Sequence, residues 1–302
     1  MINFLKKKIY RFFQKIIIKL LPNNRRLIIP EIYKSYVVKK DKNWNSSNMD
    51  ENEIFLRDFV VNFLPFVLKK KFFYTPKDSS IKFFDFGCGW APMAISLKIF
   101  NDSSNSKISY QGLDIMPDCI NFLSDKFKDD PNFSFLHHDV ADKVNYILQT
   151  INNDKTQSSS DGHEGKFFHL LKDKCNLQWS SSVFTHLTSA AAQEALMSIA
   201  KVSEKSCIQI NTWLIIDCFS QLSLLTSQCD RRYPYDYGDY MSRSNKNPLN
   251  GVAFKIEKIE EFYAKANLQI LEIQRGSWRG GNYSNDARHY QDIIISRPIL
   301  KT

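Results

Sequence analysis

Asp85, Gly87 and Gly89 alternate at the end of an apolar run, Phe83-Phe84-Asp85-Phe86-Gly87-Cys88-Gly89-Trp90-Ala91-Pro92. Two of only ten glycines fall within three residues, just before a segment with helical apolar spacing, Met93-Ala-Ile-Ser-Leu-Lys-Ile-Phe100. The order reads as a strand, a tight glycine turn and a helix opening at Pro92. Such a turn offers bare backbone N–H groups and a surface without side chains to a ligand. Asp114 follows 25 residues after Gly89, at the end of a second apolar run. A carboxylate at the carboxyl end of a parallel strand can accept hydrogen bonds from both hydroxyls of a ribose. Nicotinamide enzymes use the same device, so Asp114 points to an adenosine-containing cofactor without choosing which. Asp139 ends a third apolar run; it could accept a bond from an adenine amine, with Val140 against the ring, or simply open a loop.

The glycine spacing narrows the choice. A dinucleotide fingerprint needs Gly-x-Gly-x-x-Gly, and position 92 is proline; a Walker-type loop needs Gly-Lys-Ser/Thr, which is absent. Asp85-x-Gly87-x-Gly89 resembles the first motif of class I S-adenosylmethionine-dependent methyltransferases. Gly112-Leu113-Asp114-Ile115, the run from Pro131 to Val140, Ser181-Ser-Val-Phe-Thr-His186-Leu187 and Gly276-Ser-Trp278-Arg followed by Tyr290-Gln-Asp-Ile-Ile-Ile295 resemble, in order, the segments of a bacterial subgroup of that family. The resemblance covers about residues 80–298. It implies an α/β fold, a Rossmann-like, mostly parallel seven-stranded sheet with an antiparallel last strand, binding S-adenosylmethionine. By position it implies that Asp85, Gly87 and Gly89 line the methionine end, that Asp114 and Ile115 hold the ribose and adenine edges, and that Asp139 and Val140 hold the adenine. Ser181 and His186 would face the transferring methyl. Two departures stand out: Ala91 replaces a third glycine, and the connection after Asp139 lacks an aromatic-Asn-Pro piece.

Methyl transfer from a sulfonium needs a nucleophile held in line about 3 Å away and water kept out. A hydroxyl nucleophile benefits from a base, and His186, at a loop-to-helix junction, is the candidate; a helix-terminal packing histidine is the alternative. Neither Asn/Asp-Pro-Pro-Tyr nor Pro-Cys follows the fourth strand, which argues against DNA as the acceptor. Arg231, Arg232, Tyr233 and Tyr235 form a basic aromatic block suited to an acidic sugar or an aromatic metabolite, or to a solvated loop. The expected reaction is O-methylation of a small-molecule or glycan hydroxyl. Methylation of an amine, a carboxylate or RNA is the alternative within enzymology. A catalytically silent module of the same fold, docking on a membrane or partner, is the alternative outside it. No Cys/His spacing suggests a metal site.

The elements that must position these groups alternate regularly from Ile81 onward. Strands are expected at 82–86, 107–114, 133–137, 175–181, 206–212, 268–274 and 290–297, with helices at 92–101, 118–128 and 257–266. Residues 151–165 form a polar insert without a core pattern. Residues 27–80 read as a helical and loop extension, with a helix over 53–71 that Pro65 should kink or break near Leu64. The catalytic domain is expected over 81–300.

The charge is uneven. Of the formal +9, residues 1–26 carry eight basic and no acidic side chains, leaving the rest near neutral. A near-neutral body weakens any nucleic-acid reading drawn from the overall charge. Along 4–21, Leu5, Ile9, Phe12, Phe13, Ile16, Ile17 and Leu20 share one helical face, opposite Lys7, Lys8, Arg11, Lys15 and Lys19. Pro22 stops this helix. Residues 1–26 are thus expected to form a basic amphipathic helix that either lies on an anionic membrane surface or packs on the body of the protein. Six scattered cysteines without a pairing pattern suit a reducing, cytoplasmic setting, peripheral at the inner face of the membrane if the helix binds lipid.

Overall fold

The computed structural model describes residues 56, 58–76, 80–104, 106–138, 174–225, 232–280 and 289–299. The helix expected over 4–21, the insert at 151–165, and Asp139, Val140 and Arg231 lie outside the described residues. The chain divides into two units, one ending at His137 and the other beginning at His138.

In the first unit, the helix expected around Pro65 is continuous but changes type there. A π-helical turn, Phe59–Phe63, leads into α1, Leu64–Tyr74, and the Leu64 N–H donates to the Phe59 carbonyl five residues back. Pro65 has no N–H to give to the α-helical ladder, so the chain widens by one residue ahead of it instead of breaking. Strand β1, Lys82–Phe86, helix α2, Pro92–Ser104, strand β2, Ser109–Asp114, helix α3, Pro117–Lys126, and strand β3, Phe133–His137, then alternate. β1 pairs in parallel with β2, and β2 with β3. Phe83, Phe84 and Phe86 are all buried, so β1 is covered on both faces. That is what a strand in a parallel sheet requires.

The second unit contributes β4, Cys175–Ser180, a 3₁₀ turn at Phe184–His186, α4, Ser189–Lys201, and β5, Ser203–Trp213. Thr188 caps α4, its hydroxyl accepting from the Ala191 N–H at 3.3 Å. After β6, Ile215–Ile216, come α5, Cys218–Leu225, β7, Tyr235–Asp236, β8, Tyr240–Ser242, and β9, Val252–Lys255. The unit closes with α6, Ile256–Lys265, β10, Leu268–Gln274, a 3₁₀ turn at Ser277–Arg279 and β11, Asp292–Pro298. α6 packs through Ile259, Phe262 and Tyr263, the spacing of a single helical face.

The main sheet has seven strands in the order β10-β11-β5-β4-β1-β2-β3, and β11 alone runs against its neighbours β5 and β10. This is the Rossmann-like architecture with an antiparallel last strand. A second sheet, β6-β9-β8-β7, occupies the stretch between β5 and α6. The sequence pattern predicts no strand there, because strands of two to four residues carry no readable alternation. No described helix is long and apolar enough to cross a membrane.

Candidate active site

The first unit gathers Asp85, Gly87, Gly89, Asp114 and Ile115 at the carboxyl ends of β1 and β2. The parallel register sets Asp85 beside Gly112 and Phe86 beside Leu113. The Leu113 carbonyl then accepts from both the Gly87 and Cys88 N–H groups, at 2.8 and 3.1 Å. Gly87 and Gly89 take φ of 77° and 54°, the left-handed region that favours glycine. Ala91, where a third glycine was expected, takes φ 54° as well. Its single methyl makes this conformation cost about 1–2 kcal/mol.

Asp114 holds the turn shut. Its Oδ2 accepts from the Gly89 N–H at 2.6 Å and its Oδ1 from the Met116 N–H at 3.0 Å. Burial pushes its pKa up; the backbone N–H groups around it pull the other way without cancelling the effect. His137 at the end of β3 approaches the Ile115 carbonyl, with Nε2 at 3.2 Å from the oxygen.

Asp85 lies beneath this turn, buried, with its Oδ2 accepting from the Tyr110 hydroxyl at 2.8 Å. Burial drives its pKa up to about 7; the Tyr110 bond lowers it and the Asp114 charge raises it further. The Cys88 thiol is also pushed well up by burial, so it stays protonated and is no nucleophile. Tyr110 and Gly112 were missed as parts of this site. A Cβ at Gly112 would meet Cys88 Sγ at 2.9 Å and the Tyr110 hydroxyl at 3.0 Å. The signal was available, since a glycine inside a strand marks a close approach.

The same construction leaves room for a ligand. A Cβ built on Gly89 would meet nothing within 4 Å, so the glycine's bare face opens onto space beside the Asp114 carboxylate. A carboxylate offers about four lone-pair positions, and one on each oxygen is taken by Gly89 and Met116. The Ile115 N–H also bonds to the carboxylate, which leaves about one acceptor direction for a ligand hydroxyl.

In the second unit, β4 ends at Ser180 and the chain turns through Ser181 and Ser182. Ser182 has φ 60°, and its N–H donates to Thr212 Oγ1 of β5 at 2.8 Å. Phe184 stacks on Trp213 with ring centroids 4.2 Å apart, pinning the 3₁₀ turn. His186, two residues on, sets its Nδ1 2.9 Å from the Leu249 carbonyl. In the Arg/Tyr block, Arg232 and Tyr235 are exposed. Tyr233 is buried edge-to-face on Trp278 at 5.7 Å, within a cluster of Leu214, Ile216, Ala253 and Trp278. Its ring therefore serves the core of the second sheet, and the block does not present one continuous wall.

Sequence spacing also left Arg279 without a role. It is buried and donates from Nε and Nη2 to the two oxygens of Asp292 at 2.8 and 3.0 Å, from Nη2 to the Ile215 carbonyl at 2.8 Å, and from Nη1 to Asp217. Asp292 also accepts from the N–H groups of Ile215 and Gly276 and from Trp278 Nε1. Burial would raise Asp217, but the Ser220 N–H and the charges of Arg279 and Arg275 outweigh it and hold the carboxyl below its usual range.

No protein-family model matches the sequence, and a search by sequence among curated proteins finds no match. Methyltransferases are among the solved structures that it resembles. Mitomycin 7-O-methyltransferase is 12% identical, with a TM-score of 0.44; the likeness covers 83% of this chain and 58% of that one, so the chain spans less than two thirds of that protein's length. Magnesium protoporphyrin IX methyltransferase from Synechocystis PCC 6803, with bound SAH, is 10% identical over 89% of this chain and 93% of its own, with a TM-score of 0.46. The PH0226 protein from Pyrococcus horikoshii OT3 is 14% identical over 90% and 100%, with a TM-score of 0.49. The fold rests on the strand order and strand directions of this chain itself.

Proposed function

We propose that the chain is an S-adenosylmethionine-dependent methyltransferase acting on a hydroxyl of a small molecule or glycan, with residues 81–300 as the catalytic domain. The observation that carries the reading is the open face of Gly89 beside an Asp114 carboxylate that holds the glycine turn through the Gly89 N–H and the start of α3 through the Met116 N–H. When bound, S-adenosylmethionine supplies a methyl group already activated by the sulfonium. Asp114 accepts from a ribose hydroxyl. Gly87 and Gly89 leave the approach to the methionine end unobstructed. Asp85, half-protonated near neutral pH, lies under the turn and keeps it in shape with Tyr110. His186 takes the acceptor hydroxyl's proton as the oxygen attacks, with Ser181 on the same loop. Arg232 and Tyr235 are exposed and could meet an acidic or aromatic acceptor. Asp139 and Val140 keep their adenine roles, and Arg231 the contact with an acidic or aromatic acceptor that its basic aromatic block suggests. Residues 4–21, read as a basic amphipathic helix, would hold a cytoplasmic protein at an anionic membrane surface or pack on the body of the protein.

Calorimetric titration with S-adenosylmethionine, with NAD as the control, tests the reading. Saturable binding of the former alone is expected. Asp114→Ala should abolish it, because the ribose contact and the clamp on Gly89 are lost together. An unchanged affinity in that variant would sink the ribose assignment. Absence of binding to the wild-type protein would favour the silent module.

A further inference from the structure

We infer that Ser242 is a positioning residue that fixes the tautomer of His186 through the Leu249 carbonyl. A carbonyl oxygen can only accept, so the ring nitrogen 2.9 Å from it, Nδ1, carries the proton. In the neutral ring the lone pair is then on Nε2. Free histidine side chains favour the opposite arrangement, so something must hold that carbonyl in place.

The holder is the loop between β8 and β9, and Ser242 is its anchor. The Ser242 side chain is fully buried. Its Oγ lies 2.6 Å from the Pro248 carbonyl and 3.1 Å from the Ser244 carbonyl, and it accepts from the Ser244 N–H at 3.2 Å. With a single hydroxyl proton, the shorter contact, to Pro248, is the donated bond. Pro248 immediately precedes Leu249, so fixing its carbonyl orients the peptide unit that leads into the Leu249 acceptor.

The rest of the loop stiffens the same geometry. The Asn247 N–H donates to Ser244 Oγ at 3.1 Å, and the Asn250 N–H to the Asn247 carbonyl at 3.0 Å. The Gly251 N–H shares the Leu249 carbonyl with His186, at 3.1 Å. Leu249 itself is buried. Gly251, with φ 93°, turns the chain back into β9, where a Cβ would strike Arg243 Cδ at 2.8 Å. A buried serine 56 residues away in sequence thus decides which nitrogen of His186 can take a proton. The catalytic consequence rests on the reading of His186 as the base proposed above; the tautomer does not.

Nitrogen NMR of the ¹⁵N-histidine-labelled full chain reads the tautomer directly, with His186 assigned among the six histidines by its loss in His186→Gln. The wild-type protein should show Nδ1 protonated and Nε2 bare. Ser242→Ala should shift the population toward Nε2–H, and Ser242→Thr, which keeps a hydroxyl, should restore the wild-type pattern. The variant should lower kcat about tenfold with KM for S-adenosylmethionine unchanged, part of the ~10²–10⁴ that a general base supplies. A wild-type spectrum with Nε2 protonated would overturn the proposal, and so would an Ala variant that keeps Nδ1–H. If Ala does not fold, Ser242→Cys, close in size and a weak donor, takes its place. A protein with the expected spectrum but no methyl transfer would fail as a methyltransferase while leaving the positioning role intact.

Discussion

Asp85 sits in an environment far from what a carboxylate prefers. Burial alone would keep it protonated, and one tyrosine hydroxyl does not compensate for a lost hydration shell. Its pKa in the folded chain, about 7, lies above the ordinary value of 3.8, so the fold favours the protonated form. The stability this contributes is complete below about pH 4. It is lost as pH rises toward 7, because the unfolded chain ionises first. Asp85→Asn keeps an acceptor for the Tyr110 hydroxyl and removes the ionisation. Urea unfolding at pH 5, 7 and 9 should therefore show the variant gaining on the wild type as pH rises, on the order of 3 kcal/mol across the window. A difference independent of pH would show that Asp85 titrates as an ordinary carboxylate.

At the scale of elements, the start of the join between β10 and β11 is tightly constrained. The chain leaves β10 at Gln274 and passes through Gly276 into the 3₁₀ turn that carries Trp278 and Arg279. Gly276 donates its N–H to Asp292 Oδ1 at 2.8 Å. A Cβ there would fall 2.3 Å from the Tyr290 carbonyl oxygen and 2.4 Å from the Gln291 carbonyl carbon. Those are backbone atoms, which cannot rotate aside as a side chain can. Gly276→Ala should therefore lower stability by about 3 kcal/mol or more, at the upper end of overpacking costs, read as a fall in the urea midpoint. A loss within about 1 kcal/mol would mean that the two strands separate more easily than their register implies. Arg279 explains the demand for closeness. Its guanidinium is buried only because Asp292, Asp217 and the Ile215 carbonyl are all within bonding distance.

For the whole molecule, the asymmetry of charge is the property with consequences. Eight of the basic side chains fall in residues 1–26, and the remainder is close to neutral. If those residues form the expected amphipathic helix, attraction to anionic lipid adds to burial of its apolar face. Deleting residues 1–22 should abolish co-sedimentation with vesicles containing phosphatidylserine. The wild-type binding should weaken as salt rises, since exposed charges are screened beyond about 10 Å at 0.1 M. Equal sedimentation with and without the segment would reject the membrane reading and favour a helix packed on its own chain.

Much of the main sheet was legible in the residues. β1, β3 and β10 run over the expected spans, 82–86, 133–137 and 268–274. Each carries its apolar residues in a short local pattern close to turn-forming residues, so the chain itself carries the signal. The places of Asp85 and Asp114 on β1 and β2 and of Gly87 and Gly89 in the turn were legible for the same reason: strand ends and glycine turns are written in adjacent residues. β5 came out longer than expected, from Ser203, because its polar first residues hide the pattern. What the tertiary structure decided depends on contacts between residues far apart in sequence. Only the parallel register of β1 and β2 brings the Tyr110 hydroxyl to Asp85, and only burial in the folded chain makes Asp85 a weak acid, an effect that the Tyr110 bond reduces. Only the packing of the second sheet buries Tyr233 while leaving Arg232 and Tyr235 outside. And only a carbonyl 63 residues downstream selects the nitrogen on which His186 holds its proton. A sequence states which groups are available at each element's end, whereas burial and hydrogen-bond partners, which set their protonation, belong to the folded chain.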